Sequence, residues 1–160
     1  VIAPFHPSTT LENLRRHKFA CVNYTTDVRV FAGCVSRRRR DWPVVAAERI
    51  RGWRLAGALA HAEVEVAHVT EDNQRPRFHC ATVHQAAHAP FEGFNRAQAA
   101  VVEAAILVSR LHMLPAAKVE AELAYLEIAI AKTAGDEERE AWEWLMGRVT
   151  EAGTAPVPET

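Results

Sequence analysis

The sequence predicts an α+β chain with a strand-rich front and an all-helical back, and three observations carry that prediction. Residues 61–70 set Ala62, Val64 and Val66 against Glu63 and Glu65, the two-residue period of a half-buried strand. After the polar turn Glu71–Pro76, Arg77–Gln85 returns as the second arm of an antiparallel hairpin. The stretch 91–115, FEGFNRAQAAVVEAAILVSRLHMLP, then carries Val101, Val102, Ala105, Ile106, Val108 and the pair Leu111/Met113 at helical spacing. Two more helical patterns follow it through short connections, which makes the three helices neighbours in a small subdomain.

The length of 160 residues suits one domain, or one domain with an appended subdomain, and is enough to bury a core. No apolar run is long enough for a membrane span, and Val1–Phe5 lacks the basic start of a signal peptide. Cys21, Cys34 and Cys80 are odd in number and have no C-x-x-C spacing, so reduced thiols in a cytoplasm are expected. The net charge of −1 hides a split. Residues 1–90 hold 13 Lys/Arg against 8 Asp/Glu, and residues 91–160 hold 6 against 12. The front therefore favours an anionic ligand, while the acidic back argues against a general nucleic-acid binder.

Taken in order, Val1–Phe5 reads as the end of a strand and His6-Pro7 as a turn. Thr9 and Glu12 have the spacing of a capping box for a helix that runs to Arg16. Ser8, Thr9 and Thr10 sit where helix N–H groups and positive partial charge would favour a phosphate. The same residues also suit a well-capped short helix with no ligand. Phe19–Tyr24 and Val28–Ala32 read as strands joined by Thr25-Thr26-Asp27. Asn23 is unusual in a strand, because a buried amide needs partners, either a ligand edge or a turn. Arg37–Arg40 is an anion-site candidate or a solvated loop, without the aromatic interleaving of a nucleic-acid surface. Val44–Leu59 is expected to be a loop with a short helix around Gly52-Trp53.

His79, Cys80, His84 and His88 invite a metal reading, but His79 and His84 are five apart and face opposite sides of a strand. No metal is expected, and no G-x-S-x-G elbow suggests a hydrolase. Asn95 caps the organising helix, with Gln98 placed for a reciprocal bond. Pro115 stops that helix and starts the next, which buries Val119, Leu123, Leu126 and Ile130. Gly135 is expected to end it in left-handed geometry, and Asp136 to cap a third helix with Trp142, Leu145, Met146 and Val149 inward. The divisions expected are 1–90, 91–152 and a tail over 153–160.

The pair PFHPSTTLENL and VNYTTDVRVFA resembles the flavin-reductase-like split-barrel proteins. More narrowly, GFNRAQAAVVEAAILVSRLHMLP and the later KTAGDEEREA are similar to a family of unknown function found in archaea and methylotrophic bacteria. That family joins an FMN-binding split β-barrel to a C-terminal helical domain. The resemblance implies a partial barrel over residues 1–90, with the N-terminal strands apparently missing ahead of Val1. It further implies FMN as cofactor, with Ser8, Thr9 and Thr10 at the phosphate, Asn13 supporting that turn, and Asn23, Tyr24, Thr25 and Thr26 along the ribityl chain or ring edge.

A homodimer with flavin near its interface is expected on the same ground, as is a role as an oxidoreductase linked to one-carbon, pterin-dependent metabolism. His6 and Tyr24 could deliver a proton, but no residue pattern demands it, so no catalytic residue is assigned. The alternative is a non-catalytic dimeric assembly protein with a degenerate flavin site.

Overall fold

The computed structural model describes residues 1–154, so the final part of the expected tail, residues 155–160, lies outside the described residues. The protein is α+β and divides into two compact units. One comprises Val1–Thr25 and Pro43–Phe91; the other takes Thr26–Trp42 together with the chain from Glu92 onward.

The first unit begins with α1 (Thr9–His17) and β1 (Phe19–Tyr24). Its N-cap is Ser8, whose hydroxyl accepts the Leu11 N–H at 3.2 Å, so the cap lies one residue before the expected Thr9. Lys18 closes the helix in left-handed geometry (φ 61°) and donates its N–H to the Leu14 carbonyl. Leu11 and Leu14, three residues apart on one helix face, pack with Phe78 into a small core. Phe78 is fully buried and exchanges both backbone bonds with Ile2, a single bridge in place of the expected strand tail.

The hairpin is β4 (Ala60–Thr70) and β5 (Arg77–Ala87), paired antiparallel, with β1 on the other side of β4. The register slips between Glu63 and Val64 and again between Val66 and His68, so the ladder carries bulges. Residues 44–55 form a short antiparallel pair, β2 (Val44–Ala46) and β3 (Trp53–Leu55), where a loop with a helix was expected. One departure from simple alternation matters most. Glu63, expected on the solvent face, is fully buried because that face meets the chain at residues 48–50.

The second unit contains α2 (Arg29–Ser36), α3 (Arg96–Val108), α4 (Ala116–Thr133) and α5 (Asp136–Thr154). Val28–Ala32 was expected as a strand, since Val28, Val30 and Phe31 are good strand formers. It is helical because Val28, Ala32 and Ser36 recur at four-residue spacing on a face packed against α3 and α5. Ser36 returns its hydroxyl proton to the Ala32 carbonyl at 2.6 Å. Gly33 admits a close approach: a Cβ there would lie 2.8 Å from the Arg39 carbonyl oxygen and 3.3 Å from the Trp144 ring.

Val101, Ala104 and Ala105 of α3, Val119, Leu123 and Ile130 of α4, and Ala141, Trp142 and Leu145 of α5 form the shared core. Asn95 caps α3 through the Ala97 N–H at 2.8 Å, as expected of that residue. Gln98 does not close the reciprocal bond; its amide donates to Glu138 at 3.0 Å. The other Glu138 oxygen accepts the Gly135 N–H at 2.9 Å, the half of a capping box in which the third helical side chain reaches back to the cap. Gly135 is therefore part of the start of α5 and is not left-handed; among the described glycines only Gly93 has positive φ. α3 stops at Val108, before Leu111 and Met113, and Ile106 is 39% exposed.

Candidate functional site

In the first unit, α1, the start of β1 and the segment Ile50–Trp53 enclose a cleft of about 370 Å³, a size within the range of small-molecule sites. Thr10, Asn13, Leu14 and His17 line it from α1, at the three- and four-residue spacing of a single helix face. Phe19, Ala20 and Cys21 line it from β1, and Ile50, Arg51, Gly52 and Trp53 from the segment that leads into β3. Trp53 is 65% exposed although large and apolar, a surface that a planar ligand would cover.

Helix geometry leaves the Thr9 and Thr10 N–H groups without intrahelical partners, since Ser8 already accepts from Leu11 and Glu12. Positive partial charge at that end, the Thr10 hydroxyl and the Arg51 guanidinium together give the cleft the chemistry of an anion-binding site with an aromatic wall. Burial, then the Glu63 charge, push the Cys21 thiol pKa up against a smaller opposing effect of Arg54, and so favour the neutral thiol.

Glu63 anchors the chain just ahead of Arg51. Its Oε1 accepts the Glu48 N–H at 2.6 Å, and its Oε2 accepts those of Arg49 and Ile50 at 2.7 and 2.9 Å. Burial by itself would raise its pKa, but these three bonds and one to His61 outweigh it and bring the carboxyl down to about 2. His61, also fully buried, lies 3.1 Å from Glu63 through Nε2 and 2.9 Å from His88 Nε2 through Nδ1. Desolvation, followed by the charges of Arg54 and His61, lowers the His88 pKa.

Of the residues singled out from sequence, Thr10 and Asn13 line the cleft, and Ser8 and Thr9 stand at the helix end beside it. Asn23 and Tyr24 lie at the far end of β1, with Thr25 just beyond it, and none of the three lines the cleft. The Asn23 side chain joins strands: its Oδ1 accepts the Leu55 N–H at 2.8 Å and its amide donates to the Cys21 carbonyl at 3.4 Å. Tyr24 is half exposed. His17, Arg51 and Trp53 were missed, although a helix-face projection from Thr10 reaches His17 at the seventh residue on. The His61/Glu63/His84 grouping was missed because its members come from two strands, and only the hairpin register sets Glu63 opposite His84.

The arginine run is partly spent within its own unit. Arg38 pairs with Glu151 at 2.8 Å, and the Arg39 guanidinium lies 4.0 Å over the Trp42 ring.

These features define a two-unit α+β protein with a small polar and aromatic cleft in its strand-bearing unit. Residues 1–89 match the N-terminal domain model, and residues 95–147 the C-terminal domain model, of the family described as protein of unknown function (DUF447). The chain belongs to that family. No curated protein matches it. Among solved structures, it is similar to the FMN-bound protein MM1853 from Methanosarcina mazei, with a TM-score of 0.79 and 19% identity, over 91% of this chain and 79% of that one. A likeness at that identity speaks for the fold.

Proposed function

We propose that the protein binds FMN in its strand-bearing unit, which is read as a partial split β-barrel of the flavin-reductase-like type. The observation that carries this is the fold shared with a protein whose structure is FMN-bound, over nine-tenths of this chain. The cleft residues fit such a cofactor. Thr9 and Thr10 at the start of α1, with Ser8 and Asn13 supporting them, and Arg51 in the same cleft, suit a phosphate. Phe19 and Trp53 offer aromatic surface to a flat ring. Asn23, Tyr24 and Thr25 are proposed for the ring edge or ribityl chain, although the Asn23 amide is already engaged in joining strands.

Bound flavin would supply hydride or electron chemistry, and the protein would supply binding, orientation and electrostatics. An oxidoreductase acting in one-carbon, pterin-linked metabolism, working as a cytoplasmic homodimer, is the fuller form of this reading. The test is an absorption spectrum of the purified protein before and after adding FMN and removing the excess. Retained flavin bands support the reading, and a folded protein that retains none overturns it.

A second reading, a non-catalytic dimeric assembly protein with a degenerate flavin site, is favoured by exposed apolar side chains. Tyr125 and Ile128, three residues apart on α4, are 70% and 45% exposed. A dimer that forms in the absence of flavin and retains none would support this second reading.

A further inference from the structure

We infer that His61, Glu63 and His84 form a site for a divalent cation of the zinc or ferrous type, with His88 orienting the ring of His61. The inference stands on its own observations and does not depend on flavin binding.

The backbone builds the grouping. His61 and Glu63 are two residues apart on β4 and so share a face, and the register sets His84 of β5 directly opposite Glu63. One nitrogen from each histidine and one carboxylate oxygen lie within 4.8 Å of one another. His61 and Glu63 are fully buried, which is unusual for an imidazole and a carboxylate unless a partner compensates them.

Hydrogen bonds account for two members and leave the third out. One proton between His61 Nε2 and Glu63 Oε1, 3.1 Å apart, satisfies both. His84 Nε2 is buried with no hydrogen-bond partner among the described residues. Glu48 Oε1 lies 3.2 Å from it, but without the alignment of a hydrogen bond. An orphaned ring nitrogen facing a carboxylate and a second imidazole is what a cation would join.

The donor set supports the choice of ion. Two imidazoles and one carboxylate match catalytic zinc sites and the facial triad of non-haem iron, whereas magnesium and calcium prefer oxygen alone. The surroundings also have the form of an outer shell: the three N–H bonds fix the carboxylate, and a His61 Nδ1–H donated to His88 Nε2 would turn the His61 Nε2 lone pair inward. Metal–ligand bonds of about 2.0–2.2 Å require donors roughly 3.4 Å apart, so the set must close slightly. The His84 side chain is 22% exposed, which gives its ring room to turn and the ion a way in. Glu48, with its side chain 61% exposed, stands where it could complete the coordination.

The test uses the whole chain, stripped of metal with a chelator and then titrated with Zn²⁺ by calorimetry and with Co²⁺ by visible absorption. One equivalent per chain is expected, with the visible bands of low-coordinate cobalt. His84→Ala removes a side chain whose Nε2 has no hydrogen-bond partner among the described residues, so it should keep the fold by circular dichroism while weakening zinc binding about 10–100-fold or more. His79→Ala, from the separate pair stacked with His68, should bind like wild type. Absence of saturable zinc uptake by folded wild-type protein would overturn the inference, as would wild-type affinity in His84→Ala or equal loss in His79→Ala. The wild-type titration decides on its own should a variant fail to fold.

Discussion

The carboxylate of Glu63 accepts the backbone N–H of Ile50 at 2.9 Å, joining a buried position on β4 to the segment that walls the cleft. The same oxygen accepts from Arg49, and the other from Glu48, so one side chain satisfies three successive backbone donors of that loop. Substituting Glu63→Gln keeps the size but turns an amide NH₂ toward backbone donors. It also halves the acceptor capacity. Each buried donor left unsatisfied costs about 1–3 kcal/mol, so a total loss of about 2–4 kcal/mol is expected. Chemical denaturation of wild type and variant, both metal-free, would check it; a change below about 0.5 kcal/mol would show that the loop is held in some other way.

Acid should act through the same bond set. The Glu63 pKa is about 2 in the folded protein and near 4.3 when exposed in an unfolded chain, a depressed folded value. Its contribution is therefore complete above the unfolded value and is lost as pH falls from about 5 toward 2. Metal-free wild type should lose stability across that window more steeply than Glu63→Gln, which has no such proton to take up. Parallel pH–stability curves for the two proteins would contradict this.

At the cleft, replacing Thr9 and Thr10 together by Ala should weaken FMN more than riboflavin, because the two ligands differ by the phosphate proposed to lie at this helix end. A loss of roughly tenfold for FMN, with little change for riboflavin, is expected from one or two hydrogen bonds to an anion. Equal losses for both would move the phosphate elsewhere. Titration of the flavin absorbance or fluorescence supplies the comparison.

Much of this architecture could be read from residue patterns. The alternating residues 61–66 and the polar turn after them marked out the β4–β5 hairpin, and α4 and α5 turn toward the core the stripes that their spacing marks out. The misreadings share a physical cause: tertiary contacts outweighed local preference. Val28–Ala32 is strand-like in composition, but its four-residue apolar repeat had helices to pack against. Glu63 looked solvent-facing in an alternating strand, and only the loop that closes over it makes burial affordable. For the cleft, α1 announced itself through its hydroxyls and capping residues. Arg51 and Trp53, on a segment without periodicity, could be placed only once the fold brought them to the same cleft as Thr10.

Gly33 tests the packing of α2. Gly33→Ala would normally favour a helix by about 1 kcal/mol. Here the added Cβ would lie 2.8 Å from the Arg39 backbone oxygen, which has no flexible end to move aside, and 3.3 Å from the Trp144 ring. The clash should reverse the sign and destabilise the protein by about 1–3 kcal/mol. A gain in stability on thermal or denaturant unfolding would mean that the turn at Arg37–Arg39 yields easily.

The final contrast lies on α3, between Val101 and Ile106. Val101 is fully buried in the helical core, whereas Ile106, which the sequence pattern puts on the same inward face, is 39% exposed. Val101→Asp places an unpaired charge in an apolar interior and should prevent folding or cost more than about 4 kcal/mol. Ile106→Asp should cost the monomer only about 1 kcal/mol, because water can still reach the new carboxylate. The informative measurement is therefore the mass of each folded variant in solution, by light scattering beside wild type. If Ile106→Asp folds but falls from dimer to monomer, the exposed part of α3 belongs to the proposed homodimer contact. If it folds and keeps the wild-type mass, any dimer contact lies on another surface.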